Sequence, residues 1–517
     1  MKKITSILLA IMLILGVCGS AMLTIGAEEA TSDTWDGTAS IKWYLDGTNA
    51  DGEYELKTAE DLAGLAFLVG AAQTEGRYTG VYYRADGTVV GYKAGSNDTS
   101  HQVSSLIASS TEGLECVNGD SFLGKVVVLT VDVVLNEGNA ADWATTAPTN
   151  VWQPIGGNII NGGKRAAFDG NFDGRGHTVS GLYYKSTVDF GGLFGATGQQ
   201  FPATIQNLKV TNFYVNGKEE CGALVGRSGK GLTVSSVQIS NGIVEATDAS
   251  SAAMLGTVFG GPVTFRNSSV ENVKVQSPLY LGIFTGMEVA QTVEINDCYV
   301  KDSSVKGEAQ AGLICGRAAG GGFAIHNLYA IVDVEATGTV TEGSRIAGAG
   351  LVYAAAGDSN KPNMGTIEGF YHVGTVVAAD ETLINADGAD LVVAVELSQI
   401  TGDTAKTTLT GFDFETVWKA VEGGTPVIEL RGDVGGGNTD DDDFLPEDDG
   451  SSDDDDDDTS NKNNKNDKTE TTETKDNAGT TDATTADKKG CGSVVGFAGL
   501  ALMAVLSGAA VMLKKED

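Results

Sequence analysis

GALVG at residues 222–226 is one of five related pentads that return at almost fixed intervals: GGLFG ends at Gly195, GALVG at Gly226, AAMLG at Gly256, GIFTG at Gly286 and GLICG at Gly316. The steps between these terminal glycines are 31, 30, 30 and 30 residues. Between the pentads a second ladder keeps the same phase. An apolar residue opens each intervening segment at Ile205, Val234, Phe265, Ile295 and Ile325, with steps of 29, 31, 30 and 30. Two ladders in one phase mean a single unit copied in tandem, and a period of this size marks a solenoid whose units bury their apolar faces only by stacking.

Within each unit the side chains alternate as they do in strands, for example IQNLKVTNFYV, VSSVQISNGIV and INDCYVKDSSV, and Gly, Asn, Asp and Ser separate the runs. Helical periodicity is missing there. The expected fold is therefore all-β, a parallel β-helix of about ten coils, near 50 Å long at the rung spacing. A propeller would need units nearer 40 to 50 residues, each with four strands. Glycine, 70 residues in the chain, suits the corners, and Asn207, Asn267, Asp297 and Asn327 recur in register as a corner ladder.

An open ladder needs capped ends. A short helix is expected at each: Thr58 to Val69, with Thr58 and Asp61 as a capping pair and Leu62, Leu65, Ala66 and Val69 on one face, and Phe412 to Val421 before a strand from Pro426 to Leu430. The run GKVVVLTVDVVLN, Gly124 to Asn136, is expected to begin the stack.

Both chain ends read as export and anchoring signals. Lys2 and Lys3 precede an apolar run from Ile7 to Val17 and small residues through Ala27, the order of a secretory signal cleaved after Ala27. Gly492 to Leu513 is 22 residues without a charge between Lys488–Lys489 and Lys514–Lys515, long enough to span a bilayer once with the last lysines inside. The expected organisation is a signal peptide at 1–27, a cap region at 28–124 and the β-helix with its end cap at 125–437. An acidic, Thr-rich tether at 438–487 and a membrane anchor with a short cytoplasmic tail at 488–517 follow. That arrangement places the bulk of the protein at the cell surface, outside the membrane.

The net charge is −35, and 13 acidic residues without a basic one lie between Asp440 and Asp458. The remaining −22 still makes the folded part acidic, which disfavours a nucleic-acid partner, since that needs a basic stripe. Cys116, Cys221, Cys298 and Cys315 lack metal-site spacing, and Cys298 and Cys315 occupy repeat positions filled elsewhere by apolar residues, so they read as small core hydrophobes.

The pentads, together with WQPIGG at Trp152 to Gly157, FDGNFDGRGHTVSGLY at Phe168 to Tyr183 and the closing GFDFETVWKAVEGGTPVIEL, resemble the GLUG-repeat proteins of bacterial cell surfaces. The resemblance covers roughly Ser32 to Leu430 and implies an adhesin-like, right-handed parallel β-helix; GLUG repeats also accompany immunoglobulin-cleaving metallopeptidases. The GCGS-apolar-KKED end resembles sorting tails of anaerobic Gram-positive bacteria, although LPxTG is missing.

Chemistry is sparse. HExxH is absent, and none of the four histidines has a second one at metal-ligand spacing, so no catalytic zinc is expected. Asp169, Asn171 and Asp173, with Gly174 at the sixth place, copy the first half of a calcium loop, but the twelfth place is Ser180 instead of Glu. That missing ligand argues first for a turn whose Asp and Gly residues serve backbone geometry; the three residues are also the candidate calcium or glycan loop, and Asp169 and Asp173 with Arg175 and His177 the candidate carboxylate site of a polysaccharide lyase or hydrolase. Trp143 and Trp152 belong to a cluster of aromatics that reads first as core filling, and they are the candidate sugar-stacking aromatics. The leading expectation is a non-enzymatic adhesin for an extracellular glycan or host-matrix protein, with no catalytic residue, no metal and no obligatory cofactor, calcium being the alternative. A surface polysaccharide lyase or hydrolase and a passive structural stalk or coat are the other readings.

Overall fold

The computed structural model describes residues 34–72, 78–94, 108, 110–157, 166–289, 291–339, 347–354, 362–385 and 387–428. All of them lie in one compact unit, 1–439. The signal segment, the tether, the apolar segment 492–513 and His101 lie outside the described residues. Among those described, no helix is long and apolar enough to cross a membrane.

The repeats form a parallel β-solenoid. Long strands such as Ala203–Gly222, Leu232–Ala252 and Thr292–Gly312 wind around corners without breaking, and each pairs in parallel with the equivalent strand of the next coil. Short strands Phe194–Thr197, Val225–Ser228, Leu255–Val258, Thr285–Glu288 and Cys315–Ala318 form a separate five-stranded sheet on the remaining face. Parallel bridges from Cys315 to Tyr353 and from Ile155 to Phe194 extend it by one position at each end. The solenoid thus has about six turns, fewer than the ten coils expected.

The apolar ladder read from the sequence is the core of the stack. Ile205 pairs with Val234, Val234 with Phe265, Phe265 with Ile295 and Ile295 with Ile325, and each is fully buried. Leu208 over Val237 and Cys298 over Leu328 continue the same inward pattern one bend further on.

Corners are made by single residues in the left-handed region, which Asn and Asp enter at less cost than other side chains. At the first corner Asn207, Asn267, Asp297 and Asn327 have φ of 51, 49, 48 and 58°. The expected ladder is present in part: Asn327 Nδ2 donates to Asp297 Oδ1 at 3.0 Å, while Ser236 interrupts the series. Asn212, Asn241, Asn272 and Asp302 build a second corner, where Asn272 Nδ2 donates to Asn241 Oδ1 at 2.9 Å. A third corner uses Phe190, Glu220, Ser250, Tyr280 and Gln310, all at positive φ.

That third corner explains the repeat glycine. A side chain on Gly226 would meet the carbonyl oxygens of Glu220 and Gly195 at 2.7 Å, and one on Gly286 would meet Ser251 N at 2.7 Å. Gly226, Gly286 and Gly316 lie against the corner backbone of their own coil and of the coil before it, Gly256 against that of the coil before it, and Gly195 against Gly156.

The stack begins one rung earlier than expected. Glu53–Leu56 pairs in parallel with Val126–Leu129, Glu53 opposite Val126, and the Ala59–Gly70 helix is inserted between them. EYEL gives little strand signal because Leu56 is its only fully buried residue. The helix itself is as read: Thr58 accepts from Asp61 N at 3.2 Å, Asp61 returns a bond to Lys57 N, and Leu62, Leu65, Ala66 and Val69 are buried. An antiparallel sheet of Tyr78–Tyr83, Val89–Ala94 and Glu115–Val117 lies beside it in sequence.

At the far end the expected helix from Phe412 to Val421 is not formed. Asp413 instead accepts from the backbone of Glu415 and Thr416 in a turn, and Trp418–Lys419 pairs antiparallel with Val427–Ile428. Among the described residues of this cap the only regular α-helix is one short turn, Thr404–Thr408. Tertiary packing overrides local propensity here. Phe412 and Trp418 cover an outward aromatic ladder of Tyr299, Tyr329 and Tyr371, and Trp418 Nε1 reaches Asp297 Oδ1 at 3.1 Å.

His372 on this last part of the stack is buried and donates Nε2–H to Val332 O at 2.9 Å. Burial pushes its imidazole below the usual range, against the opposing pull of the Val332 bond and Asp333. The unfolded chain therefore takes up a proton first, and His372 contributes stability that is present above the ordinary histidine pKa and lost as pH falls toward the depressed folded value. Melting should drop between pH 7.5 and 5, and the part of the slope removed in His372→Asn, read by circular dichroism, measures that contribution.

Candidate functional site

Asp169, Asn171 and Asp173 do not converge. Asn171 to Asp173 is a strand whose central Phe172 points into the core and whose Asn171 is exposed. Asp169 precedes it, buried, with Oδ1 accepting from Gln200 N at 3.1 Å; burial pushes its carboxyl up, opposed by the backbone amides of Gln200 and Gln199. Asp173 is committed to the first corner: Oδ1 accepts from Arg175 N at 2.8 Å and Asn207 Nδ2 at 3.1 Å, and Oδ2 from Gln206 Nε2 at 2.9 Å. Gly174 is required because a Cβ would meet Asn207 O at 2.6 Å. Aspartate and glycine in DGNFDG thus serve coil geometry. Arg175 and His177 turn elsewhere, to Glu53 at 2.6 Å and Asp132 at 3.2 Å. No group of three or more His, Cys, Asp or Glu side chains able to hold a metal occurs among the described residues.

Neither candidate tryptophan offers a face to solvent. Trp143 is 4% exposed, packed edge-on against Tyr183, which stacks on Tyr214. Trp152 is 2% exposed, lies edge-on to Trp35 and donates Nε1–H to Leu193 O at 3.1 Å. Both are core residues.

Cys298 and Cys315 are buried, as their repeat positions suggested, Cys221 is buried with them, and burial pushes each thiol up to about 12. Cys116 is exposed. A maleimide added to the folded chain should modify Cys116 within minutes and reach the other three only on unfolding, which peptide mapping would resolve.

A feature that the sequence reading missed is a surface groove of about 460 Å³ crossing successive coils. The strand register shows how it forms. Asn216 pairs with Glu245, Glu245 with Gln276 and Gln276 with Lys306, so four polar side chains stand in line as one wall. The next position along each strand is Gly217, Ala246, Ser277 and Gly307, which leaves the floor low, and Pro278 and Glu308 rise beyond it. Glu245 Oε2 accepts from Tyr214 Oη at 2.7 Å and Asn216 Nδ2 at 2.8 Å. Lys306 pairs with Glu335 of the following coil at 2.7 Å, an exposed pair of small energetic weight.

Fold and groove together define a parallel β-solenoid with a polar cleft on its flank. No family model matches the chain, and no curated protein matches it. It is similar to a solved structure of a putative immunoglobulin A1 protease from Bacteroides ovatus, with a TM-score of 0.28 and 13% identity, over 60% of this chain and 86% of that one.

Proposed function

We propose that this chain is a non-enzymatic binding protein of the cell surface, an adhesin that holds an extracellular glycan or a host-matrix protein. The observation that carries the reading is the groove: its polar wall is drawn from four successive coils of a rigid stack, so it presents fixed hydrogen-bonding groups at a constant spacing. The export and anchor signals in the sequence support display outside the membrane. Of the carboxylates that a lyase or hydrolase would need, Asp173 is taken up by corner contacts and Asp169 is 2% exposed, closed off from a substrate, which favours binding over cleavage at that place.

The test is the full-length chain in detergent on an array of glycans and matrix proteins, with and without calcium, reading both retained protein and released sugar fragments. Retention without release is the expected result. Release of fragments would replace this reading with the hydrolytic one, and silence in both channels would leave a structural coat.

A further inference from the structure

The groove runs along the stacking axis, and its polar contacts therefore recur at the rung spacing of about 4.8 Å. That period selects among polymers. An extended peptide advances about 3.3 Å per residue, so its side chains would fall out of step with the rungs within one or two coils. A β-1,4-linked sugar chain in its extended form advances by one ring over nearly the rung distance and turns alternate rings over, so each coil meets one ring and an equivalent ring edge returns every second coil.

The wall is suited to hydroxyl groups. Asn216 and Gln276 each offer an amide that donates and accepts, Lys306 offers a donor, and Glu245 offers an acceptor. Both bonds to Glu245 fall on Oε2, from Tyr214 Oη and Asn216 Nδ2, which orients the carboxylate and leaves Oε1 to accept from a ligand. The groove is net acidic: Glu245, Glu308 and Glu335 carry carboxylates against the single ammonium of Lys306, already paired to Glu335. No basic row is present there to select a polyanion.

We propose that this groove holds a single strand of a neutral, extended, β-linked polysaccharide, lying parallel to the solenoid axis with one ring per coil from Asn216 to Lys306. The proposal rests on the binding reading above and names the ligand class for the same site. Four coils at the rung spacing fix the register at about four rings.

The experiment is calorimetry on the full-length chain in detergent, with β-1,4-linked oligomers of glucose, N-acetylglucosamine and mannose, two to six units long, as probes. Affinity for at least one series should rise with each ring up to about four and then level off. Gln276→Ala and Lys306→Ala, both at exposed positions, should together weaken it at least about tenfold while leaving the thermal melt unchanged. Oligosaccharide binding undiminished in that variant would place the ligand elsewhere on the stack and overturn the groove, with the binding reading still standing. Tighter binding of an extended polar decapeptide than of any oligosaccharide would overturn the ligand class. No binding of any of the three series would overturn the proposal outright, and if the matrix array is also silent the binding reading falls with it.

Discussion

Gly256→Val is expected to leave little or no folded protein at 37 °C. A Cβ at this position would lie 2.6 Å from Cys221 N, Glu220 C and Gly226 O, all backbone atoms that no rotamer change can move away. Overpacking a core that can relax costs about 1–3 kcal/mol. Here the obstruction is the coil-to-coil contact itself, so even Gly256→Ala should reach roughly the upper end of that range and Val should exceed it. Neighbouring coils lose their stacking surface at the same time, because each unit is stabilised chiefly by the next. Gly113→Asn is the matched control: its φ of 72° suits Asn, and nothing lies within 4 Å of its Cβ position. Urea unfolding of the three variants reads the difference, and a Gly256→Val protein that unfolds with the wild type would refute the role assigned to the pentad glycine.

Arg227→Ala should cost roughly 3–5 kcal/mol, the penalty of leaving a buried charge without its partner. Arg227 and Glu220 are each 9% exposed. The guanidinium donates to both Glu220 carboxylate oxygens, at 2.9 and 3.3 Å, and lies 3.6 Å from the centre of the Phe259 ring. Glu220 is itself a third-corner residue at φ 56°, so the ion pair ties the corner to the short strand of the same coil. Replacing both residues, Arg227→Met with Glu220→Gln, should recover most of the loss, since a packed pair of apolar and neutral groups avoids the desolvation penalty. A double-mutant cycle in urea measures the coupling; additive losses would mean that the pair is not a unit.

How far the sequence reached depended on whether a single unit contains the signal. The stack was legible because the pentad glycine and the inward residue from Ile205 to Ile325 recur at one period, and each obeys a local rule. The first corner was legible through Asn207, Asn267, Asp297 and Asn327, whose residue type matches its backbone. The third corner was not, since Glu220, Tyr280 and Gln310 enter the left-handed region against their preference and are held there by packing. DGNFDG was ambiguous because aspartate and glycine serve turns and calcium loops alike, and only the bonds from Asn207 and Gln206 distinguish the two. Trp143 and Trp152 were ambiguous because the type of an aromatic residue does not reveal its burial. The groove was invisible for a different reason. Asn216, Glu245, Gln276 and Lys306 are ordinary polar residues in four separate repeats, and they become one wall only through register. Phe412 and Trp418 follow the same logic, since the tyrosine ladder they cover exists only after stacking.

The common glycine contact also bears on how such a chain changes length over generations. Val225 sits over Leu255, and Leu255 over Thr285. Excising one whole period, residues 226–255, would bring Val225 opposite Thr285 with Gly256 following it in the place of Gly226. The new junction joins surfaces that already fit the same partner, so a recombination event that gains or drops a full period yields a taller or shorter column, whereas one that gains or drops a fraction of a period breaks it. Tandem duplication is thus a mutational step this architecture accepts in whole units, and the number of coils is a quantity that selection can adjust without redesigning any of them.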